Sequence, residues 1–508
     1  MIHPLLLAAC VLAPALALRS CWPMDEIRYL ELIREMHERG NWLALTLEGQ
    51  PYAEKTPFLL WQVMAVGTLT GLDLAARLVP ALHALLLVFA IKKLTEVAMG
   101  GTDALAARRA ACFAAVSPGT FFLGQSFLFD MPLAVYALLG DALALEGLAR
   151  NKRVPIHALL WIGFAVLMKG PVALLHTLPV IALGAWHFGG RAALLPRGRW
   201  TLAALVIAGP LLLWALAFGL LVENGFERLW NQVAGRVSGG HGHQRPWWLY
   251  AWVMPVFALP WCLDLRRLSS GSPLADRLAG LAALIALGFV ALPTRAVQYL
   301  YPEVMLLLPW AASAVSLSAK LATTCVRALA VLLALVALAV LVFPVASWLA
   351  NHGGRNGPVL ARDLLDTSRL WPALALLPLL GAALARIELC ARFALILIGL
   401  ALGAFPMLDR TQEPERSLPV LGKHLENGGT VVQFLPIYDG NFHWYLGRTL
   451  LPIAASEAEL DQLVAGKDAL VFGFEKQLDE PLAHHRLVPV VHESFFFRSF
   501  FVWRAERR

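Results

Sequence analysis

The chain has 508 residues, 58% of them hydrophobic and 15% charged, with a mean hydropathy of +0.64. Soluble domains carry about a quarter charged residues, so this composition excludes an ordinary water-soluble enzyme and requires a chain that faces lipid. A net charge of +7 would suggest nucleic acid in a soluble protein. In a membrane chain the placement of Lys and Arg in loops accounts for it, and no nucleic-acid partner is expected.

A helix needs about 20 apolar residues to cross the hydrocarbon core. Thirteen stretches qualify as candidate spans: residues 2–22, 74–91, 110–128, 131–149, 154–168, 171–188, 200–222, 247–263, 278–293, 297–316, 328–349, 371–385 and 391–408. The first lacks a basic start and a small-residue cleavage site, so it reads as a retained signal anchor. The apolar run 57–71 is shorter and opens on Pro57. Charge placement decides its topology. If it stays on the outer side as a re-entrant or interfacial helix, then Lys92, Lys93, Arg108, Arg109, Arg150, Lys152, Arg153, Arg191, Arg197, Arg199, Arg266, Arg267, Arg277, Lys320, Arg327, Arg386 and Arg392 share one side. The positive-inside rule makes that side cytoplasmic. The longer loops 23–73, 223–246 and 350–370 then lie outside, as does the tail.

Charged residues become frequent after about residue 410. The division expected is a transmembrane domain over 1–410 and a small periplasmic α/β domain over 411–508. Its apolar runs Thr430–Leu435, Ala469–Phe474, Leu487–His492 and Phe495–Trp503 alternate with one amphipathic pattern near 456–465. The six cysteines, Cys10, Cys21, Cys112, Cys262, Cys325 and Cys390, have no metal-type spacing and read as small core residues.

The polar motifs cluster at the expected outer edge. Asp25-Glu26-x-Arg28-Tyr29 stands where the first span ends and opens an amphipathic helix over 26–38. The segment Tyr52-Ala53-Glu54-Lys55-Thr56-Pro57 follows Pro51, so two prolines bracket an adjacent acid and base. Asp130, in Asp130-Met131-Pro132, begins the fourth span, where an acid also answers the helix dipole. Lys169-Gly170-Pro171 marks an outer turn. The third outer loop runs through His241-Gly242-His243 into Arg245-Pro246-Trp247-Trp248, whose histidines and arginine suit phosphate or a metal and whose tryptophans suit the interface. Arg295 is a further outer-edge cation, and Asp141, Glu146, His176 and Glu303 lie inside spans. Each motif also has a plain reading as a helix cap, a solvated loop or a snorkelling side chain.

Together they suit chemistry on a lipid-linked phosphate. Such a phosphate sits at the bilayer surface and gains charge when a sugar carbon–oxygen bond breaks. Fixed Lys and Arg donors stabilise that charge, and a carboxylate deprotonates or orients an acceptor hydroxyl.

These five motifs, in this order over residues 1–310, resemble the GT-C membrane glycosyltransferases. The branch most similar in pattern is the 4-amino-4-deoxy-L-arabinose transferase and dolichyl-phosphate-mannose–protein mannosyltransferase superfamily. The resemblance implies a polytopic α-helical GT-C-like fold with about thirteen spans and a polyprenyl-phosphate-sugar donor, attacked in one displacement with inversion. It implies Asp25 as catalytic carboxylate with Asp130 as second acid and Glu26 beside them. Lys55, Arg245, Arg295, Lys169 and Tyr52 would serve the donor phosphate, and Glu54 with His241 or His243 would hold a divalent metal. Thr56 and Glu303 depart from the family pattern. The expected acceptor is lipid A or a related envelope glycan or lipid. The alternatives are a protein hydroxyl or a transporter of lipid-linked sugar. The enzyme is expected in the bacterial inner membrane with its site periplasmic.

Overall fold

The structure is a computed structural model and describes residues 2–22, 25–189, 200–238, 245–264, 269–292, 294–314, 320–342, 370–412, 416–435, 441–447, 451–474, 485–495 and 498–507. In chain order these form α1 (Pro4–Leu18), α2 (Asp25–Arg39), the short strands β1 (Thr46–Leu47) and β2 (Gln50–Pro51), α3 (Phe58–Thr70), α4 (Leu72–Ala98), α5 (Ala104–Val116), α6 (Pro118–Leu123), α7 (Asp130–Asn151), α8 (Ile156–Lys169), α9 (Ala173–Phe188), α10 (Trp200–Leu221) and α11 (Gly225–Ser238). Next come α12 (Leu249–Phe257), α13 (Pro273–Ala291), α14 (Tyr301–Leu306), α15 (Leu308–Ala314), α16 (Lys320–Val342), α17 (Leu370–Leu384) and α18 (Leu389–Gln412). The C-terminal part holds α19 (Ser417–Glu426), β3 (Thr430–Phe434), α20 (Asn441–Leu446), β4 (Ile453–Ala454), α21 (Glu457–Val464), β5 (Ala469–Phe474), β6 (His485–Phe495) and β7 (Arg498–Arg507).

Seven helices among the described residues are long and apolar enough to cross a membrane. Several expected spans are interrupted. Ser117 ends α5, caps Gly119 and passes the chain to Pro118, which opens α6. The stretch 297–316 divides into α14 and α15, and 247–263 divides into α12 and a 3-10 turn at Trp261–Asp264. Proline lacks the amide that would continue each helix. The helix α3 has 13 residues, about 20 Å at 1.5 Å per residue, short of the roughly 30 Å core. Leu212, Leu213, Leu216 and Leu220 of α10 are exposed, as are Leu332 and Leu335 of α16, which is what lipid-facing helices require. Cys10 and Cys325 share such surfaces, so they are not core residues; Cys21, Cys112 and Cys390 are buried. The expected outer loop 350–370 falls almost wholly outside the described residues.

The chain divides into two compact units. The first comprises residues 1–17, 52–333 and 378–399. At its centre α7 packs against α4, α8 and α9, and 17 of its residues are buried, almost all apolar or small. Close approach depends on glycine: a Cβ on Gly163 of α8 would lie 2.5 Å from the carbonyl oxygen of Val206 in α10.

The second unit comprises residues 18–51, 334–377 and 400–508. It contains the small sheet expected near the C-terminus, a mixed five-stranded sheet in the order β4-β3-β5-β7-β6. Strand β5 pairs in parallel with β3 and antiparallel with β7. Its alternate residues supply two cores. Leu470, Phe472 and Phe474 pack with Leu421, Phe442 and Phe500 on one face, and Val471 packs with Leu460, Val464 and Trp503 on the other, as the two-residue strand period dictates. The amphipathic pattern over 26–38 is α2, but Glu31 and Glu35 are buried along with Ile27, Leu30, Ile33 and Met36, because α2 packs against α20 of the same unit.

Candidate active site

In the first unit, three of the motifs come together. The Lys169 ammonium, at the end of α8, lies 2.5 Å from Oδ1 of Asp130, the first residue of α7. The same ammonium sits 4.5 Å from the ring centroid of Tyr299, a cation–π contact. Lys55 approaches from the Tyr52–Pro57 segment, with its ammonium 5.9 Å from the ring centroid of Phe129, the neighbour of Asp130. What holds that segment is Thr56, buried at 5% exposure, whose hydroxyl donates to the carbonyl of Leu167 at 2.6 Å. One hydrogen bond thus ties the residue after Lys55 to the turn that ends in Lys169. Gly170, at φ +80°, lets the chain reverse there without the Cβ clash another residue would meet.

Arg295 donates through Nη1 to the carbonyl oxygen of Arg245 at 2.9 Å and through Nε to that of Val290 at 3.0 Å. This fixes the backbone at Arg245, whose side chain is exposed, and leads within four residues to Tyr299. The Tyr52 hydroxyl donates to Glu54 Oε2 at 3.5 Å, and the Lys55 ammonium is 4.0 Å from the same oxygen.

In the second unit, Asp25 is the first residue of α2, and its half-exposed carboxylate lies 3.1 Å from Nη1 of Arg28. Glu26 is buried. Its Oε2 receives the Arg19 guanidinium at 2.5 Å and the Trp22 amide at 2.7 Å. Trp22 in turn donates through Nε1 to Asp409, which also accepts from the Ser20 amide. This brace anchors the start of α2. No local pattern signals it, because Asp409 lies 387 residues from Trp22.

Of the expected metal ligands, only Glu54 lies among the described residues. His241 and His243 lie outside the described residues, and among the described residues no three His, Cys, Asp or Glu side chains gather as metal ligands. Glu54 already has a cation beside it.

Of the acids inside spans, Glu146 is paired with Lys93 at 2.7 Å and Arg150 at 3.0 Å. Glu303 Oε1 meets Nδ1 of His176 at 2.5 Å. Asp141 is buried, and its Oδ1 and Glu303 Oε2 have no hydrogen-bond partner among the described residues.

No family model matches the chain. It is 29% identical over 272 residues to the undecaprenyl phosphate-α-4-amino-4-deoxy-L-arabinose arabinosyl transferase 2 of Pseudomonas fluorescens strain Pf0-1, covering 51% of this chain and 48% of that protein. It is 30% identical over 254 residues to the corresponding transferase of Pseudomonas aeruginosa strain LESB58, covering 47% and 44%. The chain thus spans about half the length of the curated relatives it matches. The crystal structure of ArnT from Cupriavidus metallidurans bound to undecaprenyl phosphate superposes with a TM-score of 0.72 at 19% identity, over 99% of this chain and 97% of that one. The chain has the ArnT fold. Its apo form superposes equally, with a TM-score of 0.71 over 98% and 97% of the two chains. The resemblance read from the five motifs is therefore borne out, since both the matched relatives and the matched fold belong to the arabinose-transferase branch.

Proposed function

We propose that the protein is a glycosyltransferase that takes a sugar from a polyprenyl-phosphate carrier and transfers it to lipid A or a related envelope glycan. The observation that carries this reading is the gathering of Lys55, Lys169 and Asp130 at one end of the membrane bundle. Arg295 and Arg245 are linked to each other in the same unit. These cations outnumber the acids among them, as an anion site requires. The relatives add the substrate class: their names specify an undecaprenyl phosphate-linked aminoarabinose, which makes a pentose the sugar we favour.

The chemistry follows from these side chains. An acceptor hydroxyl attacks the anomeric carbon as the bond from that carbon to the phosphate oxygen breaks. Charge grows on the leaving phosphate, and Lys55, Lys169, Arg245 and Arg295 stabilise it. Because Lys169 already pairs with Asp130, that aspartate orients a cation and does not serve as the base. Glu26 is similarly engaged by Arg19. Asp25, half-exposed, is the carboxylate we assign to receive the acceptor's proton. A single displacement inverts the anomeric centre.

Helix α7 supports a periplasmic site. Its 22 residues span about 33 Å, close to the hydrocarbon thickness. The Asp130–Lys169 pair marks one end, and Glu146 with Lys93 and Arg150 marks the other. The basic end carries the residues that the positive-inside rule assigns to the cytoplasm.

The test is transfer of labelled sugar from a synthetic polyprenyl-phosphate donor by the purified protein in vesicles. Wild type should form the glycoside, and Asp25→Asn should lose at least ~100-fold in kcat. Label recovered in protein would favour a protein acceptor. Movement of the donor across the bilayer without a glycosidic bond would replace the enzyme with a transporter.

A further inference from the structure

Residues 46–51 form a hairpin with a two-residue turn: Thr46 faces Pro51, Leu47 faces Gln50, and Glu48 and Gly49 make the bend. Both bend residues have positive φ, +54° at Glu48 and +76° at Gly49. A turn of this kind favours Asn-Gly or Asp-Gly, whose first residue tolerates the left-handed region. Glutamate is poorly suited to it, so its neighbours must hold it there.

Those neighbours belong to the same compact unit. Glu35 of α2, fully buried, accepts from the Thr46 hydroxyl at 2.7 Å and from the Gly49 amide at 3.2 Å. Glu48 Oε1 lies 3.1 Å from Nδ1 of His443 in α20, whose side chain is 1% exposed. This is ion-pair distance, off the line of an ideal hydrogen bond. The tautomer is fixed by the other ring nitrogen. Nε2 of His443 accepts the Leu451 amide at 3.2 Å, so in the neutral ring the proton sits on Nδ1, the nitrogen nearest Glu48. His443 thus reaches from the α/β sheet's helix to Glu48 at the tip of a hairpin 395 residues earlier.

That hairpin is the covalent link between two groups assigned above. Helix α2, which begins with Asp25, precedes it, and Lys55 follows Pro51 by four residues. We propose that His443 is a positioning residue for sugar transfer, holding the Glu48–Gly49 turn and, through Glu35, the helix that begins with Asp25. The α/β domain then serves as a clamp on the first loop. This rests on the transferase reading for the roles of Asp25 and Lys55, but not for the clamp itself.

Glycine adopts the left-handed turn without strain, so Glu48→Gly should make the hairpin independent of His443. In the full-length protein in lipid vesicles, His443→Ala should lower kcat about 10-fold while the donor KM rises less than about threefold, since misplacement affects the reacting geometry most. Amide exchange across residues 46–51 should quicken about 10-fold in the same variant. Glu48→Ala, which removes the acceptor and leaves the buried imidazole in place, should reproduce both effects. Glu48→Gly should stay within about twofold of wild type, and the double variant Glu48→Gly/His443→Ala should recover to within about threefold of it. The proposal is overturned if the double variant is as slow as His443→Ala, or if hairpin exchange is unchanged by His443→Ala and Glu48→Ala. If wild type transfers no sugar, the functional reading falls and the exchange measurements alone decide the clamp.

Discussion

Replacing Lys169 with Met keeps the length of the side chain and removes its charge, which isolates what the ion pair with Asp130 does. The two side chains are 14% and 8% exposed, with 2.5 Å between ammonium and carboxylate, so solvent screens the pair little. Removing one partner of a buried pair costs roughly 3–5 kcal/mol, because it strands the other charge. Asp130 retains one favourable interaction, with the N-terminus of α7, worth up to ~1 kcal/mol. The expected cost is therefore about 2–4 kcal/mol. Asp130→Asn/Lys169→Met removes both charges at constant shape and should recover most of that loss. Thermal denaturation of wild type, Asp130→Asn, Lys169→Met and the double variant in one detergent supplies the cycle. Equal midpoints for wild type and Lys169→Met, or a double variant no more stable than Lys169→Met, would refute the account of this pair. Transfer assays on the same set separate stability from chemistry: the double variant should be stable yet slow, since a phosphate-facing cation has gone.

Gly163→Ala should cost about 1–3 kcal/mol, because its new Cβ would meet the Val206 carbonyl oxygen at 2.5 Å. Gly209→Ala, with nothing within 4 Å, should change the thermal midpoint little. Thr56→Val should cost about 1 kcal/mol and raise the donor KM, since the hydroxyl bond to Leu167 fixes the segment bearing Lys55. Burial pushes the Glu31 carboxyl from 4.5 up to about 7, against the opposing pull of Arg34 and His443 and with a contribution from Glu35. The folded form thus holds the proton more tightly than the unfolded chain. The stability of α2 should fall by about 3 kcal/mol as pH rises from roughly 4.5 to 7 and level off above it. Amide exchange of α2 across that range should show the slope, and Glu31→Gln should flatten it.

Composition and motif order were enough to read the lipid-facing character and the small C-terminal sheet, and they singled out Lys55, Asp130 and Lys169 one by one without pairing them. These depend on local chemistry: hydropathy over about 20 residues, strand alternation, and acids or bases beside prolines and helix ends. The breaks at Pro118 and between Leu306 and Leu308 were missed because average hydropathy does not register a lost amide or a packing turn. Tyr299, which faces Lys169, lies 130 residues from it in sequence, and nothing local marks it as a partner. The brace from Arg19 through Glu26, Trp22 and Asp409, like the His443–Glu48 contact, joins residues hundreds of positions apart. Nothing in one sequence pairs such residues. The amphipathic pattern over 26–38 did not show that Glu31 and Glu35 are buried, because α20, which packs against α2, lies far along the chain.

The buried acids provide the sharpest contrast between an enzyme and a transporter. A transporter places its working charges near mid-membrane, on helices broken there. Here Asp141 sits in α7, a helix continuous over 22 residues, while the Asp130–Lys169 pair stands at its end. Glu303 does lie beside the break between α14 and α15, but one of its oxygens is engaged by His176. If the chemistry is at the bundle's end, Asp141→Asn should leave sugar transfer within about threefold of wild type. It should also leave stability unchanged or improved, because a buried carboxyl near Glu303, with one oxygen unpartnered among the described residues, costs more than the neutral amide that replaces it. A loss of transfer beyond ~30-fold in a variant with an unaltered thermal midpoint would move the function to the interior. The cations at the bundle's end would then be a lipid-headgroup anchor and not the place where the glycosidic bond forms.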